Sequence, residues 1–555
     1  MHRISNVLGL IWLTFGGSLS AAEVRFNEIQ VIGTHNSYHI APEPAMARLI
    51  DQSRPGASQS IDYTHRPLWE QFALLGVRQI ELDVFADPEG GHYAQPKGRG
   101  LAEAAGLGPL MPHDSDGKLL EPGLKVLHVT DFDYRTRVYT FVDALRQIRT
   151  WSEANPQHVP LTVLVEVKQS ADRPLMTSPI PFDAEQLKEI DREIRSVFSE
   201  EQLITPDFVR GDSPTLRGAI TQRGWPLLDA VRGRVLFALD NGGAIRDRYL
   251  EGNETLEGRV LFASVDAEHP AAAFMKINNP DGDFEKIQAA VKAGFIVRTR
   301  ADSPTRHARE NDRSQLERAF ASGAQFVSTD YPEPDRRLSE YQVRFPSGVV
   351  ARTNPLIGEV ALRGEDLDGV QRWETLDRFG GERGWYNPYA WGDLARIDDE
   401  LVLKSERNFM VTTKTRYRDF IFELEARVPE GNSGVFFRCQ LGDKKLLGYQ
   451  AEIDRSERQF TGGVYDNTGR GFLVPPVDDG GDLDAFRERQ SSRPLNEGWN
   501  RVRVECFGNR IRVAVNGRWI SDFEDDWHRS GFIGLQHHGN ASEYRFRNLR
   551  ILPLN

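Results

Sequence analysis

Ten residues early in the chain, Gln30-Val31-Ile32-Gly33-Thr34-His35-Asn36-Ser37-Tyr38-His39, pass abruptly from apolar to polar. His35 can exchange a proton near neutral pH, and Asn36 offers an uncharged oxygen to a hard cation. The same transition recurs further on. Glu81 and Asp83 alternate with Gln79, and Glu166 and Lys168 alternate with Leu164. His128 closes another apolar run, Arg298 and Arg300 share one face of a later one, and Asp330 ends the last. Side chains two apart on a strand point the same way, so each set would face a common centre. Glu81, Asp83 and Glu166 with the Asn36 carbonyl make an all-oxygen set suited to calcium or magnesium. No cysteine lies in this part of the chain, and the histidines stand apart from the oxygen set, which argues against zinc. His35 and His128 supply an acid/base pair, while Lys168, Arg298 and Arg300 can hold an anion. Together these groups suit phosphoryl chemistry. Each alone could be a structural ion pair, but burying so many charges without a ligand would be costly.

These side chains need a scaffold that brings many strand ends together. Eight short apolar runs lie between Gln30 and Asp330: Val31–Gly33, Val77–Val84, Lys125–Val129, Leu161–Val167, Arg234–Leu239, Arg259–Ala263, Phe295–Thr299 and Gln325–Thr329. Helical periodicity separates several of them: Phe141, Leu145 and Ile148 share a face, as do Leu187, Ile190 and Ile194. Eight strands alternating with helices predict a (β/α)8 TIM barrel, with chemistry at the strand C-termini. A Rossmann-type sheet is the alternative, weakened by the lack of a glycine-rich phosphate fingerprint after the first strand. Residues 85–124 carry no helical pattern and read as a lid or binding loop. Within them, His113-Asp114-Ser115-Asp116-Gly117 has part of a calcium-loop pattern without the remaining ligands.

With these residues in view, the region resembles the calcium-dependent, phosphatidylinositol-specific phospholipase C family in its secreted microbial form. The resemblance rests on Gly33-Thr34-His35-Asn36-Ser37-Tyr38-His39, Glu81-Leu82-Asp83-Val84 and His128-Val129-Thr130-Asp131-Phe132-Asp133-Tyr134-Arg135. Val165-Glu166-Val167-Lys168, Val297-Arg298-Thr299-Arg300-Ala301-Asp302 and the ending Gly323 to Tyr331 complete it. It implies calcium held by Asn36, Glu81, Asp83 and Glu166. It further implies Glu81 taking the proton of the inositol 2-hydroxyl, His35 stabilising charge at phosphorus, and His128 protonating the departing glycerol oxygen. The products would be diacylglycerol and a cyclic inositol phosphate.

The chain has 555 residues, enough for two domains. Its net charge of −12 argues against non-specific nucleic-acid binding. His2 and Arg3 precede an apolar stretch, Val7 to Phe15, and small residues to Ala22; residues 1–22 read as a signal peptide, so a secreted or periplasmic location is expected. Residues 23–345 form the barrel domain, 346–357 a linker and 358–555 an alternating-strand domain. Seven strands are predicted there, which implies an antiparallel sandwich. Cys439 and Cys506 lie on two of them, and either a bridge or two buried thiols fits.

The second domain resembles the 3-keto-disaccharide hydrolase family, an all-β concanavalin/laminin-G-like jelly roll. The carrying stretches are Gly431 to Arg438, Gly448 to Asp454, Thr461 to Tyr465, Gly498 to Asn500 and Gly531 to Gly539. That implies sugar binding or glycoside cleavage. Gln450, Glu452 and Asp454 alternate onto one face, where Arg438 and Gln536 could join them. The expectation is therefore a calcium-dependent phosphodiesterase fused to a carbohydrate-recognising sandwich, with transient contact with a membrane surface. A glycerophosphodiesterase-like enzyme and a glycan-binding protein or glycoside hydrolase with an idle barrel are the rivals.

Overall fold

The computed structural model describes residues 24–555 apart from 109, 170–175, 304, 346–347, 360–363, 369–372, 377–383, 476–482, 492–494 and 555. The expected signal segment, 1–22, lies outside the described residues, as do linker positions 346 and 347. The chain divides into two compact units, Met1–Val370 and Gln371–Asn555. Among the described residues no helix is long and apolar enough to cross a membrane.

In the first unit, eight strands form a parallel ring: β1 (Ile29–Thr34), β2 (Gln79–Phe85), β3 (Leu161–Val167), β4 (Val235–Leu239), β5 (Leu261–Ala263), β6 (Phe274–Lys276), β7 (Ile296–Arg300) and β8 (Phe326–Thr329). Each pairs with the next, and β8 returns to β1 through Val31↔Phe326. Two joints are thin. β1 meets β2 only at Gly33↔Gln79, and β5 meets β6 through the single bridge Ser264↔Phe274. Every residue of β1 and β2 is buried, as expected of parallel strands covered on both sides. The helices bear out their periodicity. Phe141–Ala154 buries Phe141, Leu145 and Ile148 and is capped by Thr140; Ala184–Val197 is capped by Asp183.

Eight barrel strands were expected, and eight form, but one differs. Lys125–Val126 pairs antiparallel with Val84 and Phe85, outside the ring. Its place is taken by β6, a three-residue strand preceded by Ala271-Ala272-Ala273, too short to leave a period in the sequence. The 85–124 connection also contains a helix, Lys97–Ala104, whose first N–H is received by Asp131 Oδ1 at 2.8 Å. Asp114 is occupied by a turn, receiving the N–H groups of Lys118 and Leu119 at 2.8 Å each, rather than by the outline of a calcium loop.

The second unit is a two-sheet antiparallel sandwich. One sheet runs β9 (Trp385–Tyr386), β10 (Phe409–Thr413), β15 (Phe532–His537), β11 (Asn432–Leu441), β12 (Leu446–Asp454), β13 (Val464–Asp466) and β14 (Gly471–Val474). The other includes Glu400–Ser405, Asn540–Pro553, Phe420–Arg427, Asn500–Phe507 and Arg510–Val515 in that order. Phe422, Leu424, Val435, Phe437, Leu535 and Ile551 pack into the core of this unit. Tyr449, Ala451 and Ile453 enter the same core, so the alternate residues of β12 emerge on the opposite face. All seven predicted strands form. Cys439 and Cys506 are buried free thiols.

Candidate functional site

At the C-terminal mouth of the barrel, β1 ends at Thr34 and Asn36 adopts φ 45°, a left-handed conformation that asparagine tolerates. Its Nδ2 donates to the Tyr63 hydroxyl at 3.0 Å, and its Oδ1 is buried with no hydrogen-bond partner. Asp83 Oδ1 is buried with no hydrogen-bond partner, while Oδ2 pairs with Lys168 Nζ at 2.9 Å. Lys168 also donates to Glu166 Oε2 at 2.8 Å. Glu81 receives Arg298 Nη2 at 2.5 Å. Burial pushes the Glu81 carboxyl up to about 8 against the pull of Arg298, with Asp240, Asp83 and Glu166 adding to the rise. Burial and Asp83 likewise raise Glu166. Ligand atoms of Glu81, Glu166 and Asp240 lie within 4.8 Å of one another. The sequence reading does not single out Asp240, yet it follows the apolar run of β4 just as Asp330 follows that of β8.

The two predicted histidines face this mouth, each backed by a carboxylate. His35 Nδ1 lies 2.8 Å from Asp330 Oδ1, and its Nε2 lies 3.6 Å from Glu81 Oε1. Burial and the Arg300 charge hold its imidazole well below the ordinary histidine value despite Asp330. His128 Nδ1 lies 2.6 Å from Asp133 Oδ2. Burial opposes its charge, but the Asp133 hydrogen bond and charge outweigh this and raise its pKa. Asp133 also meets His39 Nε2 at 2.8 Å, and His39 Nδ1 lies 3.0 Å from the Tyr63 carbonyl. Asp133 and His39 stood inside recognised stretches, but only the fold shows that both converge on His128.

The cations expected at an anion-binding rim are placed differently. Arg298 is buried, donating to Ser328 Oγ at 2.8 Å and Asn278 Oδ1 at 2.6 Å as well as to Glu81. Arg300 is buried and donates to Asp330 Oδ2 at 2.8 Å. Both therefore pair with carboxylates of the mouth and do not form a free cationic rim. Lys168 stays partly exposed and lines, with His128, Phe85 and Met176, a cavity of about 160 Å³.

In the sandwich, Gln450, Glu452 and Gln536 line a cavity of about 440 Å³ with Asn408, Arg458 and Tyr465 among its other walls. Glu452 accepts from Gln450 Nε2 at 2.9 Å, Asn432 Nδ2 at 2.7 Å and Arg458 Nη2 at 3.0 Å. Burial lifts its carboxyl to about 7 against those donors. Asp454 does not line this cavity; it receives the N–H groups of Ser456 and Phe460 and the Arg458 Nε, which shapes the turn after β12. Arg438 is absent from it too. A bulge between Phe437 and Gln440 shifts the register, and Arg438, at φ 49°, donates to the carbonyls of Arg418 and Gly508 and to Asp419.

Residues 24–355 match the family model described as phosphoinositide phospholipase C, Ca2+-dependent, which spans more than half of the chain. The chain belongs to the calcium-dependent phosphoinositide phospholipase C family. Residues 359–552 match the model of a 3-keto-alpha-glucoside-1,2-lyase-like domain. No match to a curated protein sequence was found. Among solved structures, a calcium-dependent phosphoinositol-specific phospholipase C from Pseudomonas sp in complex with myoinositol is 16% identical; 60% of this chain and 96% of that chain are covered, with a TM-score of 0.36. A Ca2+-dependent phosphatidylinositol-specific phospholipase C from Streptomyces antibioticus is 14% identical over 56% of this chain and 95% of that one, TM-score 0.33. A carbohydrate-binding module from Bacillus subtilis is 15% identical over 31% of this chain and 96% of the module, TM-score 0.22.

The barrel mouth fits the calcium ion named in the family's description. Its donors are all oxygen, and the Asn36 carbonyl oxygen and Asp83 Oδ1 are buried without a hydrogen-bond partner. Such unsatisfied oxygens are what a hard cation completes.

Proposed function

We propose that the first domain is a phosphodiesterase cleaving phosphatidylinositol-like lipids to diacylglycerol and a cyclic inositol phosphate. The observation that carries this reading is the pair of carboxylate-backed histidines, His35–Asp330 and His128–Asp133, facing one oxygen-lined mouth. Asn36, Glu81, Asp83 and Glu166 would hold calcium, which when bound supplies positive charge to the reacting hydroxyl and phosphate. Asp330 accepts the Nδ1 proton of His35, so Nε2 is the open nitrogen, placed beside Glu81. His35 and Glu81 together are thus suited to take the 2-hydroxyl proton, and this replaces charge stabilisation as the role proposed for His35. Asp133 fixes the Nδ1 proton of His128 in the same way and favours its charged form, which suits delivery of a proton to the glycerol oxygen. Lys168, partly exposed beside Glu166, is the cation available to the phosphate.

For the second domain we propose carbohydrate binding in the cavity around Gln450, Glu452 and Gln536, supported by the lyase-like family match. Release outside the cytoplasm, suggested by residues 1–22, agrees with both substrates. The test of the phosphodiesterase is a head-group screen on mixed lipid vesicles with calcium and with chelator. Inositol phosphate release that chelation abolishes and calcium restores is expected. Full turnover in excess chelator, or preference for a glycerol head group, would overturn the reading.

A further inference from the structure

Calcium takes six to eight oxygen ligands, and the four residues assigned above leave room for more. Across three adjacent strands the acids form a row. Asp83 on β2 is in register with Glu166 on β3, and Asp240 follows at the next strand, its N–H donating to the Val165 carbonyl at 2.9 Å. Neighbouring strands lie roughly 4.8 Å apart, so the row concentrates negative charge along one edge of the mouth.

Asp240 is buried, and its two oxygens are unequal. Oδ2 receives Lys276 Nζ at 2.6 Å, from the end of β6, whereas Oδ1 is buried and has no hydrogen-bond partner. A carboxylate held by one oxygen, with the other unsatisfied, and with a ligand oxygen within 4.8 Å of those of Glu81 and Glu166, has the arrangement of a ligand waiting for a cation. The local count agrees. Glu81, Asp83, Glu166 and Asp240 face Lys168, Lys276 and Arg298, so the acids outnumber the bases that touch them. A divalent ion adds the positive charge that keeps all four carboxyls ionised together.

Resting on the proposed calcium site, we propose that Asp240 is a further ligand of the ion, supplied by β4 and aimed by Lys276 through its outer oxygen. The direct test is anomalous diffraction from crystals of the full chain soaked in calcium, without substrate. An Asp240 oxygen about 2.3–2.6 Å from the ion is expected. An ion bound by Glu81 and Glu166 with Asp240 outside coordination distance overturns the inference and leaves the calcium site standing. Absence of any ion from the mouth overturns both. In solution, calcium titrated calorimetrically into Asp240→Asn should bind at least tenfold more weakly than into the parent. Equal affinities for a variant shown to be folded in chelator would also overturn it.

Discussion

At the scale of single residues, His128 and Asp133 carry the sharpest consequences. Losing a positioned acid typically costs about 10²- to 10⁴-fold in rate. His128→Ala should lose that much with a lipid alkoxide leaving group and far less with a nitrophenolate, which needs no proton. Equal losses on both substrates would remove His128 from the role. Its pKa is raised by Asp133, and the acid works only while protonated, so kcat should fall as pH rises through a value above that of an ordinary histidine. Asp133→Asn removes the support, and the fall should begin at lower pH. Parent and variant pH profiles that superimpose would contradict this assignment.

At the scale of elements, the barrel depends on a thin joint where β1 meets β2. Gly33 pairs with Gln79 there, and a Cβ at Gly33 would come within 1.9 Å of the Gln79 side-chain oxygen. Gln79 cannot swing clear, because it is buried and its oxygen receives Ser328 Oγ at 3.1 Å. Gly33→Ala should therefore destabilise the first domain by about 1–3 kcal/mol, the usual penalty of overpacking. Because His35 stands two residues on, kcat should fall as well. Denaturant unfolding of the isolated first domain checks the first effect, and an unchanged midpoint would show that the joint yields easily.

At the scale of the whole molecule, each unit holds its own packed core, in the sandwich one built from both sheets. Residues 371–555 made alone should fold cooperatively and bind an oligosaccharide, while 24–370 should keep the phosphodiesterase. Burial pushes the Glu452 carboxyl up to about 7. Its ionised form accepts sugar hydroxyls better than its protonated form, so binding should strengthen as pH rises through that value. Glu452→Gln should weaken binding and flatten the dependence. Calorimetry across neutral pH decides this, and a folded fragment that binds no member of a broad glycan set would sink the carbohydrate proposal.

Much of this architecture was legible in the sequence because it rests on local pattern. Apolar runs that carry Glu81, Asp83 and Glu166 at alternate positions announce strands that open on a polar mouth, and the helical faces between them announce a barrel. Alternation along Gln450, Glu452 and Asp454 correctly places them on one sheet face. Tertiary structure decided what depends on neighbours. It replaced Lys125–Val126 with Phe274–Lys276 in the ring, since three residues gain strand identity only from β7 beside them. It turned Arg298 and Arg300 inward as partners of Glu81 and Asp330, and a bulge carried Arg438 away from the cavity beside Glu452. It also brought Asp240 to the acids and Asp133 to His128. Sequence pattern determines which side chains leave a strand on the same side. Which charge meets which is set by pairing, register and burial across strands far apart in the chain, and only the assembled barrel supplies these.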